Sequence, residues 1–571
     1  MGFSRTMVRG PSLARVLALT LLVTACTTPL GGPTGGSSPP ETASSPGDQV
    51  GTVQAGSLAE RICATPRELL VRIWNGHRAD RGPEIQMVPT EPNFVGSGLP
   101  HVGPHDYIQR VPMLWFGPGF IAPVGPVRRP VTLADVAPTQ ARLLDFEFEA
   151  PDGVPMAEAL VPASERPVAP RLIVTMVWDA GGRDVLSAWP NDWPYLRSLI
   201  PRGTWYENAT VGSSPSSTAQ IHTTIGTGAF PRVHGLVGHR LRIGDRTTTP
   251  WSLGPAFIVR PTLADLFDRA MGNRPLVGLV GTVSIHLGML GHGAMWGGGD
   301  RDLVILREKL DATTLGAEGF EWNLPSKLDP FYEFPEYANE VPGFERDVRA
   351  IDQADSKLDG KWRSNSIDQL LLGFDTPARI PYQNRVVQDL ITREGFGADD
   401  VPDLLYLNFK EIDYISHIWT MNSPEMKDAV VWQDAALQEF VRFLDREVGE
   451  GRWVLVLTAD HGALPDPELS GGYQISTGAV AKAIEARFGD SDGTGVVDLM
   501  QLTGIYMNTG ELRENGYTLM DVAEFLMTLT KGETGEAGTV PPAGEQDDKV
   551  FSLAFPSSIM RALPCLPEAR P

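Results

Sequence analysis

Cysteine is scarce in this chain of 571 residues: there are three, Cys26, Cys63 and Cys565. That count excludes a scaffold of many disulfides and a cysteine-rich metal cluster. Basic residues are outnumbered, 48 Lys and Arg against 70 Asp and Glu, giving a net charge of −22. They do not cluster, so no nucleic-acid-binding surface is expected, because a phosphate backbone needs concentrated cations. No internal repeat is evident. The one apolar run near the N-terminus is too short for a transmembrane helix.

What is present begins with that run. Arg5, Arg9 and Arg15 precede it, and it ends in Leu21-Leu-Val-Thr-Ala-Cys26, the pattern of a secretory signal with a lipoprotein-type cleavage box. Residues 1–25 are expected to be the signal peptide and Cys26 the lipidated residue; an ordinary signal with a chance cysteine is the alternative. Residues 26–60 are rich in Pro, Gly, Ser and Thr, including Gly31-Gly-Pro-Thr-Gly-Gly-Ser-Ser-Pro-Pro40, and read as a flexible tether. The expected location is extracytoplasmic, held to the cell membrane by the lipid.

Residues 61–571 alternate strand-like apolar runs with helical patterns, which implies an α/β fold with a mostly parallel sheet covered on both faces. Leu69–Ile73 and Met113–Phe116 read as strands, Thr132–Leu144 as a helix, and 148–170 as a loop-rich join. Helices are expected at Trp193–Ile200, Gln220–Thr227, Thr262–Met271 and Ala429–Glu447, with a strand at Leu276–Val280. The stretch 285–382, rich in Gly, Trp, Phe and Pro, is expected to form a cap or insertion over the site. Three apolar runs end in chemistry. Leu172–Trp178 delivers Asp179, Val401–Phe409 leads to Lys410, Asp413 and His417, and Trp453–Ala459 delivers Asp460 and His461. Strand carboxyl ends share one rim in an open α/β sheet, so these residues can converge. Carboxylates and neutral imidazoles are zinc ligands. Taken singly, Asp179 also suits a helix N-cap and Asp460-His461 a capped turn.

Four segments resemble the alkaline phosphatase superfamily, nearest its nucleotide pyrophosphatase and phosphodiesterase branch. They are Val177-Trp-Asp-Ala-Gly181, Ser217-Thr-Ala-Gln-Ile-His-Thr-Thr-Ile-Gly-Thr-Gly-Ala-Phe-Pro-Arg-Val-His-Gly235, Asp413-Tyr-Ile-Ser-His417 and Thr458-Ala-Asp-His-Gly462. The resemblance implies a three-layer α/β/α sandwich and two zinc ions. Asp179, Asp460, His461 and Thr218 would hold one; Asp413, His417 and a further histidine near the chain's end would hold the other. Thr218 takes the position of the nucleophile that attacks phosphorus, with Ser216 and Ser217 as alternatives in the same loop. His222 and His234 are expected to brace the helix that follows.

No histidine follows His461. Instead, Pro100-His-Val-Gly-Pro-His-Asp-Tyr-Ile-Gln-Arg-Val-Pro-Met-Leu-Trp-Phe-Gly-Pro-Gly-Phe120, with Asp135-Val-Ala-Pro-Thr139 after it, is similar to the family's C-terminal segment. The closing segment thus precedes the opening strand, and the chain reads as circularly permuted. His101 then falls in the place of the missing ligand, with His105 as the alternative. Permutation is tolerated where the original ends lie close together. With Cys26 lipidated, a Cys63–Cys565 disulfide would clamp the new termini in an oxidising compartment.

The function implied is zinc-dependent hydrolysis of a small-molecule phosphate ester (diester, pyrophosphate or monoester) through a phosphothreonine intermediate. Gln220-Ile221 departs from the usual Pro-Asn, and His239 stands where the branch often has an asparagine that contacts phosphate. His239 and Lys410 are therefore candidate substrate contacts, as are His286 and His292. The absence of a Lys-x-Arg pair from Val283–His292 favours diesters or pyrophosphates. The sulfatase pattern C/S-x-P-x-R is not matched. The alternatives are a non-catalytic surface lipoprotein that keeps the fold and metals, and a phosphotransferase.

Overall fold

The computed structural model describes residues 57–560 other than 167, 309–320, 374–375, 490–492 and 537–540, together with 563, 565 and 566. The expected signal peptide, Cys26 and nearly all of the expected tether lie outside the described residues.

In chain order, the strands of the two principal sheets are β1 (Ile85–Pro89), β2 (Met113–Phe116), β3 (Gly125–Val127), β4 (Leu172–Trp178), β5 (Thr204–Tyr206), β6 (Val277–Val280) and β7 (Asp302–Ile305). They continue with β8 (Tyr332–Glu333), β9 (Asp403–Phe409), β10 (Trp453–Thr458), β11 (Val497–Gln501), β12 (Gly504–Met507) and β13 (Phe551–Pro556). The central sheet is ordered β8-β7-β6-β9-β4-β10-β2-β5-β3. Its neighbours are parallel except around β2, which lies antiparallel to both β10 and β5.

Strands β4, β9 and β10 form the middle because every residue along them is buried. Their alternating side chains feed two cores, as the two-residue period of a strand requires. Val174, Met176, Leu405, Leu407, Leu455 and Leu457 pack on one face. Ile173, Val177, Leu404, Tyr406, Val454 and Val456 pack on the other. The helices that matter below are α1 (Arg67–Gly76), α2 (Val136–Leu143), α3 (Thr218–Thr227), α4 (Leu263–Ala270), α5 (Arg379–Glu394), α6 (Glu411–Trp419) and α7 (Pro424–Leu444). α5 and α7 cover the first face through Ile380, Val386, Leu437 and Phe440. α2 and α3 cover the second through Val136, Ala137, Ile221 and Ile225. Helices on both faces make the three layers. Within 285–382, β7 and β8 extend the central sheet at one edge.

The second sheet, β11-β12-β1-β13, is antiparallel throughout. It has its own core, which includes Leu58, Ile62, Leu70, Ile73, Met87, Ile505 and Phe555. Residues from both ends of the described chain meet here, and Cys63 and Cys565 form a disulfide with Cα atoms 5.6 Å apart.

One expected strand is a helix. Leu69–Ile73 lies within α1, which starts after Pro66 and buries Leu70 and Ile73 against the second sheet. Five apolar-rich residues fit either period, and the proline at the N-cap is the signal that decides for a helix. Among the described residues, no helix is long and apolar enough to cross a membrane.

Candidate active site

The register of the central sheet places Trp178 opposite Phe409 and Thr458 opposite Val177. The residues that follow, Asp179, Lys410 and Asp460, therefore emerge side by side on one rim. Ala180 adopts a left-handed φ of 56° and donates its N–H to Asp460 Oδ1 at 3.1 Å. The turns after β4 and β10 come so close that a Cβ on Gly182 would lie 2.5 Å from Gly462 Cα, which only glycine allows. α6 opens right after Lys410 and projects Asp413 and His417, four residues apart, from one face. Thr218 is the first residue of α3.

Two donor sets form on this rim. In the first, His461 Nε2 lies 3.5 Å from Thr218 Oγ, 3.2 Å from Asp460 Oδ2 and 3.8 Å from Asp179 Oδ1. In the second, His101 Nε2 is 2.8 Å and His417 Nε2 3.6 Å from Asp413 Oδ1. The His101 ring stands 4.5 Å from that of His417 and 4.6 Å from that of His461, so the sets adjoin. All these residues are buried except His417, which is partly open. His105 turns away, to the Pro89 carbonyl. The hydroxyls of Ser216 and Ser217 face Gly103 O and Gln220 Oε1, so Thr218 alone of the three addresses His461.

The hydrogen bonds on the far side of each ring fix what the near side offers. His461 Nδ1 donates to Gly462 O at 3.1 Å and His417 Nδ1 to Gly98 O at 2.7 Å. With Nδ1 so engaged, Nε2 is the ring atom that faces the carboxylate oxygens and can exchange a proton for a metal ion. Carboxylates crowded round an imidazole nitrogen call for a cation between them, a proton or a metal ion. Asp460 Oδ2 is buried and receives no hydrogen bond. His101, Asp413 and His417 group closely enough to share one ion, as do Asp179, Asp413 and His461, and the N/O donor set suits a zinc-like divalent metal.

The charges point the same way. Burial, helped by His417, lowers His101 to about 4. Burial also works against a charged His461, yet Asp460, Asp179 and Asp413 push it up to about 9. Asp413 and Asp460 resist the upward pull of burial and stay well below the usual carboxylate range, Asp413 chiefly through Lys410 and Asp460 through His461. Lys410 itself lies among the acids, its Nζ 2.8 Å from Asp179 Oδ1 and 2.7 Å from Asp413 Oδ2.

Residues 173–547 match the type I phosphodiesterase / nucleotide pyrophosphatase family. The chain belongs to that family. Similar proteins include the alkaline phosphatase PafA of Elizabethkingia meningoseptica, 22% identical over 428 residues that span 64% of this chain and 74% of that one. The alkaline phosphatase PhoV of Synechococcus elongatus is 22% identical over 341 residues, 52% of this chain and 60% of its own. The crystal structure of wild-type PafA aligns with a TM-score of 0.48 and 18% identity, over 67% of this chain and 84% of that one. Membership of the phosphodiesterase family makes this chain a phosphoric ester hydrolase.

Around the donor sets, this phosphodiesterase-family chain builds a ring of braces. His222 Nδ1 donates to Thr218 O at 2.8 Å, and its Nε2 accepts from Asn408 Nδ2 at 2.8 Å. Asn408 Nδ2 also donates to Asp179 Oδ2 at 2.9 Å. His286 Nδ1 accepts the Thr282 N–H, so its Nε2 carries the proton and faces Asp179 Oδ2 at 3.5 Å. Asp179, His222 and His286 thus group tightly but hold protons and hydrogen bonds where an ion would need lone pairs. His234 meets Thr224 Oγ at 3.2 Å and steadies α3. His292 pairs with Asp265 and the Ile258 carbonyl, away from the rim. Asn408 is the brace that sequence reading missed; an amide inside an apolar run was its signal.

His239 is partly exposed, and burial of its ring lowers it to about 4, so it is neutral. With Ser217, Arg240, Gln501, Thr503 and Tyr506 it lines a small cleft between the rim and the β11–β12 hairpin. Nothing local in the sequence ties that hairpin to the site.

Proposed function

We propose that this chain is a zinc-dependent hydrolase of phosphate esters that works through a phosphothreonine on Thr218. What carries the reading is the position of one hydroxyl, Thr218 Oγ, beside His461 Nε2 where two buried carboxylate–imidazole sets adjoin. Asp179, Asp460, His461 and Thr218 would hold one zinc ion, and Asp413, His417 and His101 the other. Bound there, the ions would supply Lewis-acid stabilisation of phosphoryl oxygens and lower the pKa of a coordinated hydroxyl or water.

The chain's own part is positioning. Thr218 opens α3, whose first-turn N–H groups lack intrahelical acceptors and favour a phosphoryl group's negative charge. His222 fixes Thr218 through its carbonyl, and Asn408 fixes Asp179. Thr218 Oγ loses its proton and bonds to phosphorus as the ester oxygen leaves, ending as an alcohol; water then breaks the new Oγ–phosphorus bond and releases phosphate from a monoester, or a phosphomonoester from a diester. His239 and its cleft receive the organic part of the ester.

The circularly permuted reading is supported by where the family match begins, at residue 173, although His101 and the reversed strand β2 come from before it. The disulfide that holds both ends of the described chain together supports it too. The N-terminal pattern supports an extracytoplasmic, lipid-anchored protein attached at Cys26.

The test is nitrophenol release from a phosphate monoester and a diester, using soluble protein that begins after Cys26. Turnover is expected to vanish with chelator and return with zinc. Thr218→Ala is expected to be inactive while still binding zinc. Unimpaired turnover by Thr218→Ala would sink the mechanism.

A further inference from the structure

Lys410 follows β9 directly, at the N-cap of α6, and is 6% exposed. Its ammonium bonds one acid of each donor set, Asp179 Oδ1 at 2.8 Å and Asp413 Oδ2 at 2.7 Å, and donates to Thr218 Oγ at 3.3 Å. It is thus a positive charge built into the chain, in contact with the hydroxyl that reacts. The stretch Val283–His292 packs against α3 and carries no lysine or arginine.

We propose that Lys410 is the fixed third cation of the catalytic centre and the residue that sets its selectivity. It favours phosphoryl groups with two negative charges, those of phosphate monoesters, over the singly charged diesters. This rests on the hydrolase reading above and names the preferred ester within it. The physical reason is Coulombic. A charge held in a buried site interacts more strongly than the same charge in water, and it gains more from a dianion than from a monoanion. A lysine that merely held Asp179 and Asp413 in place would serve both esters alike.

The experiment compares wild type with Lys410→Met, and with Lys410→Gln as a second uncharged variant. It measures kcat/KM on nitrophenyl phosphate and on methyl nitrophenyl phosphate, zinc content, and calorimetric binding of inorganic phosphate at pH 8 to the zinc-loaded proteins. The monoester-to-diester ratio and the phosphate affinity are each expected to fall by at least about tenfold, with zinc retained. Equal losses on both esters, unchanged phosphate affinity, or loss of zinc from both variants would overturn the proposal. If the wild type hydrolyses neither ester, the hydrolase reading fails by itself, and the phosphate titration still decides the role of Lys410.

Discussion

His461 shows what a single side chain reveals about this centre. Three carboxylates hold its imidazole protonated up to about pH 9, so an ion arriving at Nε2 must displace a proton. On the two-metal reading, the apparent zinc affinity of chelator-stripped protein should rise about tenfold per pH unit from pH 6.5 towards 9, then level. Competition against a chelator of known pH dependence measures this; a flat profile would count against His461 as a ligand. Asn408 gives a second prediction at the same scale. Removing its amide frees Asp179 Oδ2 and His222 Nε2, and Asn408→Ala should lower zinc affinity or turnover by about 10- to 100-fold. Asp179 and Asp460 were legible because each follows an apolar run, whereas His101 and Thr218 came only from the family resemblance. The bridging position of Lys410 was not, because it depends on which strand lies beside β9.

At the scale of elements, the centre exists because β4 and β10 end in contact. Gly182→Ala would drive a methyl into the Gly462 backbone and part the turns that carry Asp179 and Asp460. A loss of about 1–3 kcal/mol is expected, with weakened zinc binding, measured by denaturant unfolding and metal titration. α4 carries a pH-dependent contribution. Burial disfavours a charged His292, but Asp265, 2.8 Å away, raises it above its ordinary 6.5. A His raised in the folded state stabilises fully below its unfolded value and loses that contribution as pH climbs through the folded one. The thermal midpoint lost in His292→Gln should therefore be larger at pH 6 than at pH 8. Long buried strands such as β4, β9 and β10 could be read from sequence with confidence in their type, since length and burial leave one choice. α1 was misread because Leu69–Ile73 is too short for its period to show, and the deciding signal, Pro66, lies just outside it.

For the whole molecule, the second sheet was the part hidden from sequence. β1 pairs with β12 and β13, strands from opposite ends of the described chain, and no local pattern joins them. The disulfide beside it spans a separation of 502 residues. Cys63→Ser should cost about 2–4 kcal/mol, and reducing agent should remove the difference from wild type; equal stability of the two oxidised proteins would speak against a structural role. The same long-range pairing shapes how the molecule comes into being. Met113 in β2 waits for Thr458, and Val88 in β1 waits for Leu553. The central sheet cannot close before Thr458 has been made, nor the second sheet before Leu553, and such distant contacts make folding slow. β2 can meet β5 early, but β1 has both its partners beyond residue 503, so it stays unpaired through most of synthesis and the second sheet closes last.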